Sequence, residues 1–233
     1  DLPREEYTIA EALRDAGYRT GHFGKWHLGT ETFGMPQHHG FQLNVGGNPH
    51  GNPGNYFFPY NGTWKIPKTN QRASWKILQD GEPGEYLTDR LTKEAVKFIR
   101  LSDVDEQPFF LYVSYTAAHW PMHALPEDIA KYKGRFDAGY QVLRRERYDR
   151  MKKMGLVDRD WALSGDAEDW EKVNNRKWEL RNMEVYAAMV DRMDQGIGNI
   201  IQALESTGQF KNTLILYLQD NGGCAEGLGR SAR

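Results

Sequence analysis

The feature that most constrains this chain is the run Phe109-Phe110-Leu111-Tyr112-Val113-Ser114-Tyr115, entered through Pro108 and left through Ala117-Ala118-His119-Trp120-Pro121. A short, continuous apolar and aromatic run has the pattern of a strand covered on both faces, as in parallel sheets flanked by helices. Thr213-Leu214-Ile215-Leu216-Tyr217-Leu218 repeats that pattern, and Tyr18 to Phe23 is a shorter strand candidate. Helical spacing fills the intervals. Thr8-Ile9-Ala10-Glu11 reads as a capping box, followed by a stripe of Ile9, Ala12, Leu13 and Ala16 that stops at Gly17. Residues 88 to 101 place Leu91, Ala95, Phe98 and Ile99 on one helical face. A long helix is predicted over roughly 177 to 206, with Leu180, Met183, Tyr186, Val190, Met193, Ile197, Ile200 and Leu204 as its seam and Gly208 closing it. The alternation predicts an α/β fold, a mainly parallel sheet with helices on both faces.

The rest of the chain narrows the class further. Residues 30 to 86 are rich in Gly, Pro and Asn but also carry Tyr56, Phe57, Phe58 and Tyr60, which marks a long ordered loop region rather than a linker. A charged stretch around 139 to 154 reads as an exposed helix. With 39% apolar and 27% charged residues the chain can bury a core, and no run approaches the ~20 apolar residues of a membrane helix. A formal net charge of -2 gives no electrostatic reason to expect nucleic acid as a partner. Cys224 is the lone cysteine, which excludes an internal disulfide framework. The polar N-terminus shows neither an initiator Met nor a signal-peptide pattern, as expected of a chain that starts partway into its gene product.

Three polar motifs follow directly on predicted strands, and in open α/β sheets sites form beyond the carboxyl ends of strands. Gly24-Lys25-Trp26-His27 sets a fixed cation and an imidazole two residues apart. In extended backbone both side chains share one side, where they could hold an anion and move a proton beside it. A surface Lys and a His packed on a turn is the alternative. His119, leaving a strand beside Trp120-Pro121, suits a general acid or base, or a hydrogen-bonded structural histidine. Asp220-Asn221 offers a carboxylate and an amide oxygen, hard ligands for Ca2+ or Mg2+, although Asn-Gly is also a strong turn dipeptide. Two ligands cannot fill a shell of six or more oxygens, so a metal would need others.

Taken together, these motifs resemble the sulfatase family. Gly17-Tyr18-Arg19-Thr20-Gly21-His22-Phe23-Gly24-Lys25-Trp26-His27-Leu28-Gly29 is similar to its second signature. Pro108 to Pro121 resembles its next active-site strand, and Tyr186 to Asp194 through Asp220-Asn221-Gly222-Gly223 resembles the helix and strand that deliver metal ligands. Order and separations agree over nearly the whole chain, most closely with bacterial arylsulfatases. The resemblance implies an alkaline-phosphatase-like fold, incomplete at both ends, and hydrolysis of sulfate monoesters by a formylglycine made from Cys or Ser. It assigns Lys25 to holding sulfate, His27 to contacting the formylglycine and assisting sulfate release, and His119 to helping the leaving group depart. Asp220 and Asn221 would be two ligands of a divalent cation, Ca2+ or else Mg2+. The expected partner is a small-molecule or glycan sulfate ester, and export to the periplasm or beyond follows by analogy with the family.

The family's nucleophile lies in Cys/Ser-x-Pro-Ser-Arg, which does not occur here, and Cys224, between Gly223 and Ala225-Glu226, is not that residue. Two early metal-binding aspartates, the signature arginine and a later lysine also have no counterpart. Residues 1–233 therefore read as the central part of a single catalytic domain, expected to be inactive alone. The alternatives are a phosphoester hydrolase of the same superfamily and a non-catalytic binder of sulfated glycans.

Overall fold

In the computed structural model, the described residues are 2–29, 33–65, 72–75, 77–158, 160–166, 168–219 and 222. Strand β1 (Arg19–Gly24) is the centre of a three-stranded sheet in the order β2-β1-β5, where β2 is Leu43–Val45 and β5 is Phe109–Ser114. Both pairings are parallel, with Gly24 opposite Ser114 and Phe23 opposite Val45. The expected mainly parallel α/β sheet is present.

Alternation along β1 divides the core in two. Phe23 faces helix α2 (Leu87–Val104), where it joins Ala95 and Phe98, with Val45, Phe109, Leu111, Val113 and Ile200 packed around them. Gly21 lies under this contact, and a Cβ there would fall 2.9 Å from the Phe98 ring. Ile99, Ala203 and Leu204 extend the layer, the last two from helix α5 (Arg176–Ser206). Gly196 brings α5 close to α2, since a Cβ there would sit 2.5 Å from Thr92 Oγ1. Thr20 and His22 point to the opposite face, where Ala10 of helix α1 (Ile9–Asp15) packs with Trp26, Phe41 and Phe110. Helices thus cover both faces. The capping box at α1 forms: Glu11 N–H donates to Thr8 Oγ1 at 3.2 Å and Thr8 N–H to the Glu11 carboxylate at 2.8 Å.

Three expectations about local structure are corrected. Within 30–86 the chain contains more than loop: β2 adds to the sheet, and strands β3 (Gly62–Lys65) and β4 (Arg72–Trp75) form an antiparallel hairpin. Strands of three or four residues are too short to show periodicity. Strand β5 is half-buried rather than covered on both faces, with Tyr112 45% exposed, because it forms an edge of the sheet among the described residues. Thr213 to Leu218 joins no ladder, and Leu214 is 85% exposed. Apolar composition makes a buried strand only where neighbours exist to pair with it, and among the described residues no strand lies beside this run.

The sheet and its helices belong to one compact unit, built on Asp1–His123 and Met189–Leu228. A second unit, Ala124–Ala188, contains α3 (Pro126–Ala130), α4 (Gly139–Lys153) and the start of α5. Helix α4 is the exposed, charged helix that its composition predicts: of its residues only Gly139 is buried, beneath the Trp170 ring. No described helix is long and apolar enough to cross a membrane.

Candidate active site at the carboxyl edge of the sheet

Because β1 and β5 are parallel neighbours, the residues that follow them emerge at one edge. That edge carries Lys25 and His27 after β1 and His119 after β5. Gly24 turns the chain at φ +115, and a Cβ there would lie 2.0 Å from the Ser114 carbonyl oxygen, so only glycine fits. The close approach lets Lys25 N–H donate to Ser114 O at 2.7 Å, while Ser114 Oγ donates back to Lys25 O at 2.6 Å. Lys25 is left half-buried.

Trp26 anchors the turn from within. It is buried, donates Nε1–H to the Gly34 carbonyl, and meets the rings of His22 and Phe41 edge-on at 5.2 Å and 6.0 Å. His27 is exposed, with φ +60 and its N–H on Asn48 O at 3.2 Å. The condition under which Lys25 and His27 would share one side, extended backbone through the segment, is therefore not met. Two positive φ angles, at Gly24 and His27, replace that simple alternation. Gly51 underlies the His27 imidazole, where a Cβ would be 2.6 Å from Nδ1.

His119 sits in a turn held by its own N–H on Thr116 O at 2.9 Å. Its Nδ1 faces the Trp120 carbonyl at 2.8 Å. A carbonyl only accepts, so Nδ1 carries the proton and Nε2 is the atom left to give or take one. Tyr56, fully buried, donates its hydroxyl to His119 O at 3.1 Å. Burial pushes the Tyr56 phenol well above its usual range, so it stays a donor. His123, whose pKa is lowered by burial, bonds Asn55 Oδ1 through Nδ1 at 3.0 Å, and its carbonyl accepts from Tyr86 at 2.8 Å.

The loop between β2 and the hairpin thus braces both turns: Asn48 and Gly51 meet His27, and Tyr56 meets His119. Neither Tyr56 nor the loop was singled out from sequence as part of the site. The cluster of aromatics at 56–60 was the available signal, and it marked only an ordered loop. The other two candidates, Asp220 and Asn221, lie outside the described residues. Among the described residues no group of three or more His, Cys, Asp or Glu could hold a metal ion.

One buried titratable group sits directly beneath the site. His22 has its pKa lowered to about 4, first by burial, with its bonds to Asn44 and to the Lys25 carbonyl opposing the shift. In the unfolded chain His22 takes up a proton near pH 6.5, whereas in the fold it stays neutral to about pH 4. This contribution to stability is complete above pH 6.5 and is lost as the pH falls toward 4. The loss amounts to about 3 kcal/mol. Ring-carbon NMR shifts should show His22 neutral at pH 5, and denaturant midpoints should fall less between pH 7 and 4.5 in His22→Gln than in the parent. A His22 that titrates near 6.5 would remove the basis of this prediction.

Residues 1–231 match the model of the Sulfatase family. The chain is 34% identical to an arylsulfatase of Klebsiella aerogenes over 92% of its own length and 47% of that protein's. It is 32% identical to a sulfatase of Schizosaccharomyces pombe, covering 94% of this chain and 41% of that one. It superposes on the crystal structure of Ps i-CgsB in complex with k-i-k-neocarrahexaose with a TM-score of 0.53 at 25% identity, covering 91% of this chain and 39% of that one. The chain therefore spans about half or less of the length of these relatives. A family match over nearly every residue, joined to a parallel α/β sheet shared with the solved relative, establishes that the chain belongs to the sulfatase family.

Proposed function

We propose that the full-length protein hydrolyses sulfate monoesters and that this chain is the central part of its single catalytic domain. The observation that supports the reading is that Lys25 and His27 follow β1 and His119 follows β5, two parallel neighbours, in a chain of the sulfatase family. The substrate is anionic, and cleavage of its S–O bond sends charge onto the departing oxygen and the sulfuryl oxygens. Lys25 holds the sulfuryl group by its ammonium. His119, with Nδ1–H committed to Trp120 O, delivers a proton from Nε2 to the departing oxygen when its ring is in the doubly protonated form. His27 assists release of sulfate from the nucleophile, a formylglycine supplied from outside these residues.

Asp220 and Asn221 would hold a divalent cation, Ca2+ or Mg2+. Their carboxylate and amide oxygens have the right hardness for either ion, and further ligands must come from elsewhere. Bound there, the cation would supply charge neutralisation for the sulfuryl oxygens. Arylsulfatase and N-acetylgalactosamine-6-sulfatase relatives support a small-molecule or glycan sulfate ester as substrate.

The test is turnover of 4-nitrophenyl sulfate and 4-nitrophenyl phosphate by the full-length protein. A large preference for the sulfate ester is expected. A large preference for phosphate would assign the protein to phosphoester hydrolysis instead, and binding of a sulfated sugar without turnover of either ester would make it a binding protein.

A further inference from the structure

We infer that His22 is a positioning residue for the sulfate-holding turn: its fully buried imidazole grips the carbonyl of Lys25 and so fixes where the Lys25 side chain begins. This rests on the proposed role of Lys25. No part of the three polar motifs draws attention to His22, which lies inside the central strand.

Three hydrogen-bonding groups meet at the backbone of Lys25. Lys25 N–H is held by Ser114 O at 2.7 Å. Lys25 O accepts from Ser114 Oγ at 2.6 Å and from His22 Nε2 at 3.1 Å, and the same Nε2 lies 3.3 Å from Ser114 Oγ. Both ring nitrogens face acceptor oxygens and a neutral ring donates only once, so the shorter contact, 3.1 Å to Lys25 O against 3.3 Å to Asn44 Oδ1, assigns the proton to Nε2. On the other side of the ring, Nδ1 is 3.3 Å from Asn44 Oδ1. The orientation of that amide is settled by its own bonds, Asn44 Nδ2 to Gly47 O at 2.9 Å and Gly47 N–H to Oδ1 at 3.0 Å.

The ring is clamped by packing as well. Tyr112 stacks on it at 5.5 Å, Trp26 and Phe41 meet it edge-on at 5.2 Å and 5.4 Å, and a Cβ at Gly47 would be 2.8 Å from Nδ1. His22 thus joins β1, β5 and the segment after β2 to one carbonyl. The chain one residue beyond Gly47 then receives His27 N–H at Asn48 O. A histidine used only to fill the core would not need a donor aimed at the backbone of the site turn.

Three substitutions in the full-length protein separate the donor from the bulk. In His22→Gln the side-chain amide reaches the place of Nε2. In His22→Asn it reaches only the place of Nδ1, and His22→Leu fills volume without a donor. His22→Leu and His22→Asn are expected to raise both KM for 4-nitrophenyl sulfate and the inhibition constant of inorganic sulfate by about 10-fold, because a small displacement of a binding group is costly. His22→Gln should stay within about 3-fold of the parent.

Amide hydrogen exchange at Lys25 gives an independent readout, expected to speed up in the Leu and Asn variants and not in Gln. If His22→Leu does not fold, the contrast between Gln and Asn decides. Equal behaviour of Gln and Asn, or a folded His22→Leu with unchanged sulfate inhibition and Lys25 exchange, would overturn the inference. If the parent neither binds sulfate nor cleaves its esters, the proposed function fails, while exchange at Lys25 still decides whether His22 is the clamp.

Discussion

Lys25→Ala in the full-length protein is expected to lower kcat/KM for 4-nitrophenyl sulfate by about 10²–10³-fold, the range seen when one preorganised charge-stabilising group is removed. The lysine meets the anionic sulfuryl group in the ground state and as charge builds on its oxygens, so KM should rise and kcat should fall together. Half-burial strengthens the interaction relative to a solvent-exposed ammonium. Lys25→Arg is not expected to restore activity. A planar guanidinium presents its donors from a different position and in a fixed fork, whereas the backbone clamp on Lys25 allows the turn little adjustment. Steady-state kinetics with inorganic sulfate as competitive inhibitor is the measurement. A Lys25→Ala enzyme within a few-fold of the parent in both kcat/KM and sulfate inhibition would remove Lys25 from the site.

Gly24→Ala is expected to destabilise the fold by about 3 kcal/mol or more, since a non-glycine residue at positive φ is strained and the new methyl meets backbone. The added Cβ would lie 2.0 Å from Ser114 O and 2.7 Å from Ser114 C, atoms that belong to the neighbouring strand and cannot rotate away. Relief requires β1 and β5 to part at the register pair Gly24–Ser114, which breaks the bond from Lys25 N–H to Ser114 O. Stability and activity should therefore fall together. Gly165→Ala, at a position where a Cβ meets nothing within 4 Å, is the matched control and should leave both unchanged. Equilibrium unfolding in denaturant measures the first effect and sulfate-ester turnover the second. A Gly24→Ala protein as stable as its parent would mean that β1 and β5 do not approach as described.

Elements set by contacts close in sequence are legible without the tertiary structure. Thr8 and Glu11 cap α1 through bonds three residues apart, and Gly17 and Gly208 adopt the positive φ that ends a helix. The seam of α2 follows from helical spacing, because it buries one side against the sheet, whereas that of α5 is only partly as expected: Leu204 is buried, but Tyr186 and Val190 are exposed and Ala188 and Met189 are buried instead. The run Thr213 to Leu218 was not legible in the same way. Its apolar composition meets the requirements of a buried strand, yet strand formation depends on a partner that the run itself does not contain. Strand β2 shows the converse, since three residues form a ladder only because β1 offers an edge.

The same division runs through the candidate site. The sequence by itself determined the class of fold and the presence of Lys25, His27 and His119 just beyond strand-forming segments, because residue type and local periodicity are written in order along the chain. Tertiary structure alone decided that β1 and β5 are parallel neighbours, that Ser114 and His22 close on the Lys25 carbonyl, and that Tyr56 reaches His119 across 63 residues. Those contacts join segments far apart in sequence, and their energy depends on distance and direction in space, which no short window of residues encodes.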